Sequence, residues 1–151
     1  MKRLLLLTAL FSLSMAFSQI RKVDTNQCEL IGKHDNFGTT FESIEKCGDI
    51  YVFYYLDAKF KHVDSRKHFS FKDEDGAFEY LYSEIKRGLK EQPKEDIMLE
   101  LPDDYIFLKF TKSFGIRSVQ IGHSIKGVNV QGISGWITEK QVDKLFGKSS
   151  N

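Results

Sequence analysis

Histidines near a carboxylate are the residues of this chain best suited to metal binding or acid–base chemistry. His62, Asp64 and His68 share the parity of one strand face, so their side chains would project to the same side. An unbent strand separates positions 62 and 68 by about 20 Å, and only a turn near Asp64 brings them together. A solvated hairpin end is the simpler interpretation. We therefore predict no metal site and no cofactor.

Two other patterns that could carry chemistry fail on their spacing. Residues 73–76 supply several carboxylates, but a calcium loop counted from Asp73 places Phe78 where glycine is required, so helix capping explains them better. Residues 132–136 place Ser134 between glycines without the G-x-S-x-G spacing of a nucleophile elbow. That segment is more simply the start of a strand or a bulge that lets Trp136 pack. No catalytic residue is predicted.

The two cysteines, Cys28 and Cys47, are expected to form one disulfide bond, because the chain carries an export signal and exported proteins fold under oxidising conditions. Two free buried thiols, or half of a metal site, are the competing interpretations. Ligation of a metal is the weakest of these, since the spacing is not C-x-x-C and no histidine pair stands nearby.

Residues 1–18 have the organisation of a signal peptide. Lys2 and Arg3 precede about a dozen mostly apolar residues, and small residues at 14, 16 and 18 offer two cleavage frames. The alternative, an uncleaved anchor, is disfavoured because spanning a bilayer takes about 20 apolar residues. We predict an exported protein, periplasmic or extracellular, with one domain over residues 19–151 and no transmembrane segment in the mature chain.

Charge argues against nucleic acid as a partner. Loss of Lys2 and Arg3 with the leader changes the formal net charge from +1 to −1. Acidic and basic residues then alternate along most of the chain, whereas phosphate neutralisation requires a basic stripe.

Hydrophobic spacing predicts two helices. Apolar residues at 77, 78, 81, 82, 85 and 89 form one face of a long amphipathic helix over about residues 75–91, opened by the acidic run with Asp as its N-cap. Thr138 and Gln141 match a capping box, which predicts a short C-terminal helix over about residues 138–146, ended by Gly147.

Alternating segments predict an antiparallel sheet of about six to seven strands, so the fold class is α+β. Residues 19–36 are expected to be an irregular lead-in with one short strand near 29–32. Residues 50–56 are apolar on both faces and should form a central strand covered on each side. A hairpin is expected where residues 97–101 and 105–111 flank the Pro102 turn, and its second strand should face Ile106, Leu108 and Phe110 inward and Tyr105 and Phe107 outward.

Aromatic side chains provide the remaining functional lead. If the helices cover only one side of the sheet, rings on the other side form a binding patch. The residues predicted to bind are Tyr51, Phe53, Tyr55, Tyr105 and Phe107, with Trp136 as a weaker candidate. The alternative is that the second helix covers these rings.

We therefore predict an exported, non-enzymatic binding domain whose partner is an unidentified protein or envelope component. One alternative is a hydrolase acting on envelope or extracellular polymer, which would be favoured if His62 or His123 lay beside a carboxylate in a cleft. A second alternative is an inhibitor or immunity protein of a secreted enzyme. The oligomeric state is left open.

Overall fold

Strands and helices alternate in two similar runs, each of four strands followed by a helix. The computed structural model describes residues 28–60, 65–128 and 131–148. Within these ranges the elements are β1 (Cys28–Asn36), β2 (Thr39–Cys47), β3 (Ile50–Leu56), β4 (Arg66–Lys72), α1 (Ala77–Glu91), β5 (Ile97–Glu100), β6 (Asp104–Ser113), β7 (Ile116–Ile125), β8 (Gln131–Thr138) and α2 (Glu139–Leu145).

The strands form two separate antiparallel sheets. The first sheet has the order β1-β2-β3-β4 and the second has the order β5-β6-β7-β8. The predicted α+β class and antiparallel pairing are confirmed, but the prediction of one sheet with six to seven strands is wrong. The described residues contain eight strands, divided where α1 interrupts the run of hairpins. The predicted hairpin of β5 and β6 is confirmed, since Leu101 N–H donates to the Asp104 carbonyl at 2.8 Å.

Strand β1 is the largest departure from the expected secondary structure, because it runs over nine residues where an irregular lead-in was predicted. Its pairing with β2 shifts register between Leu30 and Gly32 and again between His34 and Asp35. Each shift interrupts the regular alternation of inward-facing and outward-facing residues by which a strand is recognised in sequence. Residues 19–27 of the predicted lead-in lie outside the described ranges.

Both helices end close to their predicted limits. The capping box of α2 is confirmed: the Gln141 Oε1 accepts a hydrogen bond from the Thr138 backbone N–H at 2.8 Å. Gly147, with φ of 67°, follows the helix as expected. Helix α1 begins at Ala77 behind an N-cap of Gly76, so the prediction of an aspartate N-cap is wrong.

Each helix packs mainly on the sheet formed by the other half of the chain. Helix α1 follows the first sheet but lies on β6 and β7, and α2 follows the second sheet but lies on β1. Glycines allow both contacts. A Cβ at Gly88 would stand 2.1 Å from the Phe110 ring, and a Cβ at Gly32 would stand 2.3 Å from the Lys144 carbonyl oxygen. One core therefore joins both sheets and both helices.

Strand β8 and the start of α2 cross the inner side of the first sheet. His34, Glu42, Tyr55 and Lys67 are successive partners across β1 to β4, and we call them the polar row. Gly132 approaches Tyr55 and Lys67, Gly135 approaches Glu42, and Gln141 reaches His34. The strands of the two sheets therefore run at a steep angle to each other.

Among the residues that the structure describes, no helix has the length and apolar character needed to cross a membrane.

Candidate binding face

The outer side of the second sheet carries those residues predicted to bind that do not lie in the core. Ile106 and Leu108 of β6 are buried on the inner side, where α1 packs, while Tyr105 and Phe107 alternate with them and are only half-buried. This alternation confirms the predicted inward and outward sides of β6. We call the outer side of β5 to β8 the open face.

A β-bulge turns Trp136 onto the open face. Gln120 and Gly122 of β7 pair with Trp136 and Ile133 of β8, so two residues of β8, Ser134 and Gly135, stand opposite one residue of β7. In a regular strand, positions 133 and 136 would point to opposite faces. The extra residue brings both to the same side, and Trp136 is left 44% exposed.

Hydrogen bonds of a buried serine hold the bulge in place. The Ser134 hydroxyl accepts from the Ile121 N–H at 2.9 Å and donates to the Gly135 carbonyl at 2.8 Å. Gln120 Nε2 donates to the Ser134 carbonyl at 2.9 Å. A bulge was one of the two expectations for residues 132–136 and is found, but the expected packing of Trp136 is wrong, because its side chain is 44% exposed. Ser134 is a structural residue here.

The open face carries a shallow cleft of about 280 Å³, which Trp136 does not line but whose lining residue Gln120 is the cross-strand partner of Trp136. Its floor is Gly122, which lies between Phe107 and Ile133 in one row across the sheet. A Cβ at Gly122 would lie 3.8 Å from the Phe107 Cβ and would fill part of this space. Because position 122 has no side chain, the cleft lies open between the side chains of Phe107 and Ile133.

Charged and polar side chains form the rim of this cleft. Lys59, Lys109, Asp96 and Gln120 line it together with the apolar walls. Neither lysine has an ion-pair partner within the part of the chain that the structure describes. An apolar floor with a few polar groups at its edge is the usual composition of a ligand-binding cleft.

The rings on β3 lie in the core, so the expected exposure of Tyr51, Phe53 and Tyr55 is wrong. All three are buried, and Phe53 stacks on Phe69 with ring centroids 4.9 Å apart. The opposite side of β3 carries Ile50, Val52, Tyr54 and Leu56, which are partly exposed, so β3 is not covered on both sides as predicted. A binding role for Tyr105, Phe107 and Trp136 stays a prediction.

Sequence reasoning missed the pair of His34 and Glu42 in the polar row. The His34 Nδ1–H donates to Glu42 Oε2 at 2.6 Å, and Gln141 Nε2 donates to His34 Nε2 at 2.8 Å. Burial raises the pKa of the Glu42 carboxyl, against the opposite effect of His34 and of the Gly135 backbone N–H. The turn at residues 36–39 alone would place His34 opposite Phe41, and only the register shift between His34 and Asp35 puts it opposite Glu42, so no local sequence signal reveals this pair.

His123 pairs with a tyrosine. A hydrogen bond of 2.5 Å joins its Nδ1 to the Tyr55 hydroxyl. Burial raises the pKa of Tyr55 and lowers that of His123, so the neutral hydroxyl donates to the unprotonated ring nitrogen. No hydrogen bond joins His123 to a carboxylate among the residues described, so the arrangement expected of a hydrolase is not found at this histidine.

The remaining candidates of the sequence analysis are the two cysteines and the group of His62, Asp64 and His68. Cys28 and Cys47 form the predicted disulfide bond, so the sulfurs near Glu45 are bonded to each other and not free as metal ligands. His68 lies exposed on the outer side of β4, beside Tyr54. His62 and Asp64 lie outside the described ranges.

The chain matches no protein-family model, no curated protein and no solved structure.

Proposed function

We propose that this protein is an exported, non-enzymatic binding domain that holds a partner protein against its open face. The bulge at Ser134 carries this proposal. It leaves Trp136, the single tryptophan of the sequence, 44% exposed on the open face, opposite Gln120, which lines the cleft. Bulges that redirect a side chain occur preferentially at functional sites, and tryptophan and tyrosine are enriched where binding energy is concentrated.

The surroundings of Trp136 support a binding role. Phe107 and Ile133 offer apolar walls, and Lys59 and Lys109 offer charges that are not neutralised by described carboxylates. A partner with an apolar side chain for the cleft and an acidic group for the rim would complement both features. The disulfide bond and the predicted leader agree with an extracellular or periplasmic setting.

The test compares capture of proteins by immobilised wild type and by variants that remain folded. Trp136→Ala and Phe107→Ala remove rings from the open face, and Tyr80→Ala removes an exposed ring of α1 as the matched control. We expect a protein from the extracellular or envelope fraction that is retained by wild type and Tyr80→Ala and lost by the other two variants.

Intrinsic fluorescence then checks the contact directly. Because Trp136 is the single tryptophan, its emission should shift to shorter wavelength when the captured protein covers it. A partner that binds all variants equally, or that leaves the emission unchanged, would contradict the proposal.

A further inference from the structure

The hairpin of β6 and β7 ends in a fully exposed phenylalanine that its turn does not favour. Residues 113–116 form the turn, with Phe114 at φ 50° and Gly115 at φ 84°. Two positive φ values are typical of a type I′ turn, whose first central position prefers asparagine, aspartate or glycine. A bulky side chain is strained there, and the Phe114 ring is also completely solvent-exposed.

Two cations stand directly behind this tip. Lys112 and Arg117 are cross-strand partners, both exposed, at the base of the turn. Like charges placed opposite each other in a sheet are destabilising. Neither side chain forms an ion pair with a carboxylate in the described ranges. Ile116, 58% exposed, adds a second apolar side chain between the tip and these cations.

Three features that are unfavourable in the isolated protein thus coincide at one tip: a strained backbone, an exposed ring and a pair of facing cations. All three become favourable at the surface of an anionic bilayer. The apolar tip can enter the boundary between headgroups and acyl chains, about 5–10 Å deep, while Lys112 and Arg117, about 7 Å behind Phe114, meet the phosphates.

We propose that the β6–β7 hairpin tip is a docking site for an anionic phospholipid surface. The site is separate from the cleft and does not depend on the function proposed for the open face. One inserted ring with two cations gives weak, reversible binding that weakens as salt increases.

The other exposed hairpin supplies a matched control. Phe37 is also fully exposed, with φ of 49°, and is followed by Gly38 in the turn between β1 and β2. The residues behind that tip are the partners Asp35 and Thr40, so no facing pair of cations is present there. The nearby cations Lys33 and Lys144 pair with the Asp35 carboxylate, and Arg66 donates to the Thr40 carbonyl. If any exposed phenylalanine bound to vesicles non-specifically, substitution at either tip would weaken binding. Docking to anionic lipid also requires the facing cations and therefore involves only the Phe114 tip.

The experiment measures co-sedimentation of the purified protein with vesicles. One set contains phosphatidylcholine only, and the other contains equal parts of phosphatidylcholine and phosphatidylglycerol. Variants are Phe114→Asn, Phe37→Asn and the double change of Lys112→Gln with Arg117→Gln. Asparagine suits both turns, so the melting temperatures of the two single variants should equal or exceed that of wild type.

We expect wild type and Phe37→Asn to sediment with the anionic vesicles only. Phe114→Asn should weaken binding at least about tenfold, because one phenylalanine ring buried in the bilayer is lost. The double charge variant should also bind at least about tenfold more weakly. The double variant keeps the test valid if Phe114→Asn fails to fold. Absence of wild-type sedimentation, equal sedimentation with neutral vesicles, or equal weakening by Phe37→Asn and Phe114→Asn would each overturn the proposal.

Discussion

Phe53 and Phe107 lie on neighbouring sheets and differ in which side they face, so their truncation tests the division into core and open face. Phe53 is 1% exposed, stacked on Phe69 and in contact with the Tyr55 ring. Replacement of a buried phenylalanine by alanine costs about 3–5 kcal/mol, and the lost ring contacts account for about 0.5–1.5 kcal/mol of such a change. We expect Phe53→Ala to lower the free energy of unfolding by about 4 kcal/mol.

Phe107→Ala should cost far less, about 1 kcal/mol, because that ring is already half in solvent on the open face. Urea unfolding monitored by circular dichroism measures both changes, and an unchanged slope shows that only the stability has moved. Since small domains are stable by about 5–15 kcal/mol, the first variant should lose a large part of its stability. Equal losses at the two positions would refute the assignment of faces.

The other predictions concern the junction of the two sheets. Gly132→Ala should break the hydrogen bond of Tyr55 with His123, because the new Cβ would stand 2.1 Å from the tyrosine oxygen, and we expect a loss of about 2 kcal/mol in urea unfolding. Gly135→Ala is the matched control with little effect, since its nearest neighbour is 3.7 Å away. Burial opposes ionisation of Asp57, but Lys67 Nζ at 2.7 Å holds its pKa below the usual value. The carboxylate therefore stabilises the fold above about pH 4, and this contribution is lost at lower pH. In Asp57→Asn the free energy of unfolding should therefore fall less steeply with decreasing pH below about pH 4. An unchanged fall would contradict this assignment.

Local periodicity was sufficient to predict the two helices and the hairpin of β5 and β6. In β6 the alternation of Ile106 and Leu108 with Tyr105 and Phe107 identified the inward side correctly, because only one side of that strand is uniformly apolar, whereas the other also carries Lys109 and Thr111. The capping box at Thr138 located the start of α2 for an equally local reason, since its two residues satisfy each other.

Long-range packing decided what the periodicity left open. Strand β3 is apolar on both sides, so its own residues did not determine whether the ring side or the Ile50 side would be buried. That choice depends on residues far along the chain. Phe78 of α1 stacks on Tyr51, and Phe146, which follows α2, packs against Phe78. The same limit applies to Trp136, because the direction of its ring depends on a bulge stabilised by residues of another strand.

The exchange of helices between the two halves has a consequence for synthesis of the chain. When β1 to β4 have emerged from the ribosome, the helix that will lie on β1 is still unmade, and α1 has no partner strands to cover. Neither half is a finished folding unit on its own. Completion of the fold must wait for the last turn of α2, and two fragments divided between α1 and β5 would have to be present together to restore it.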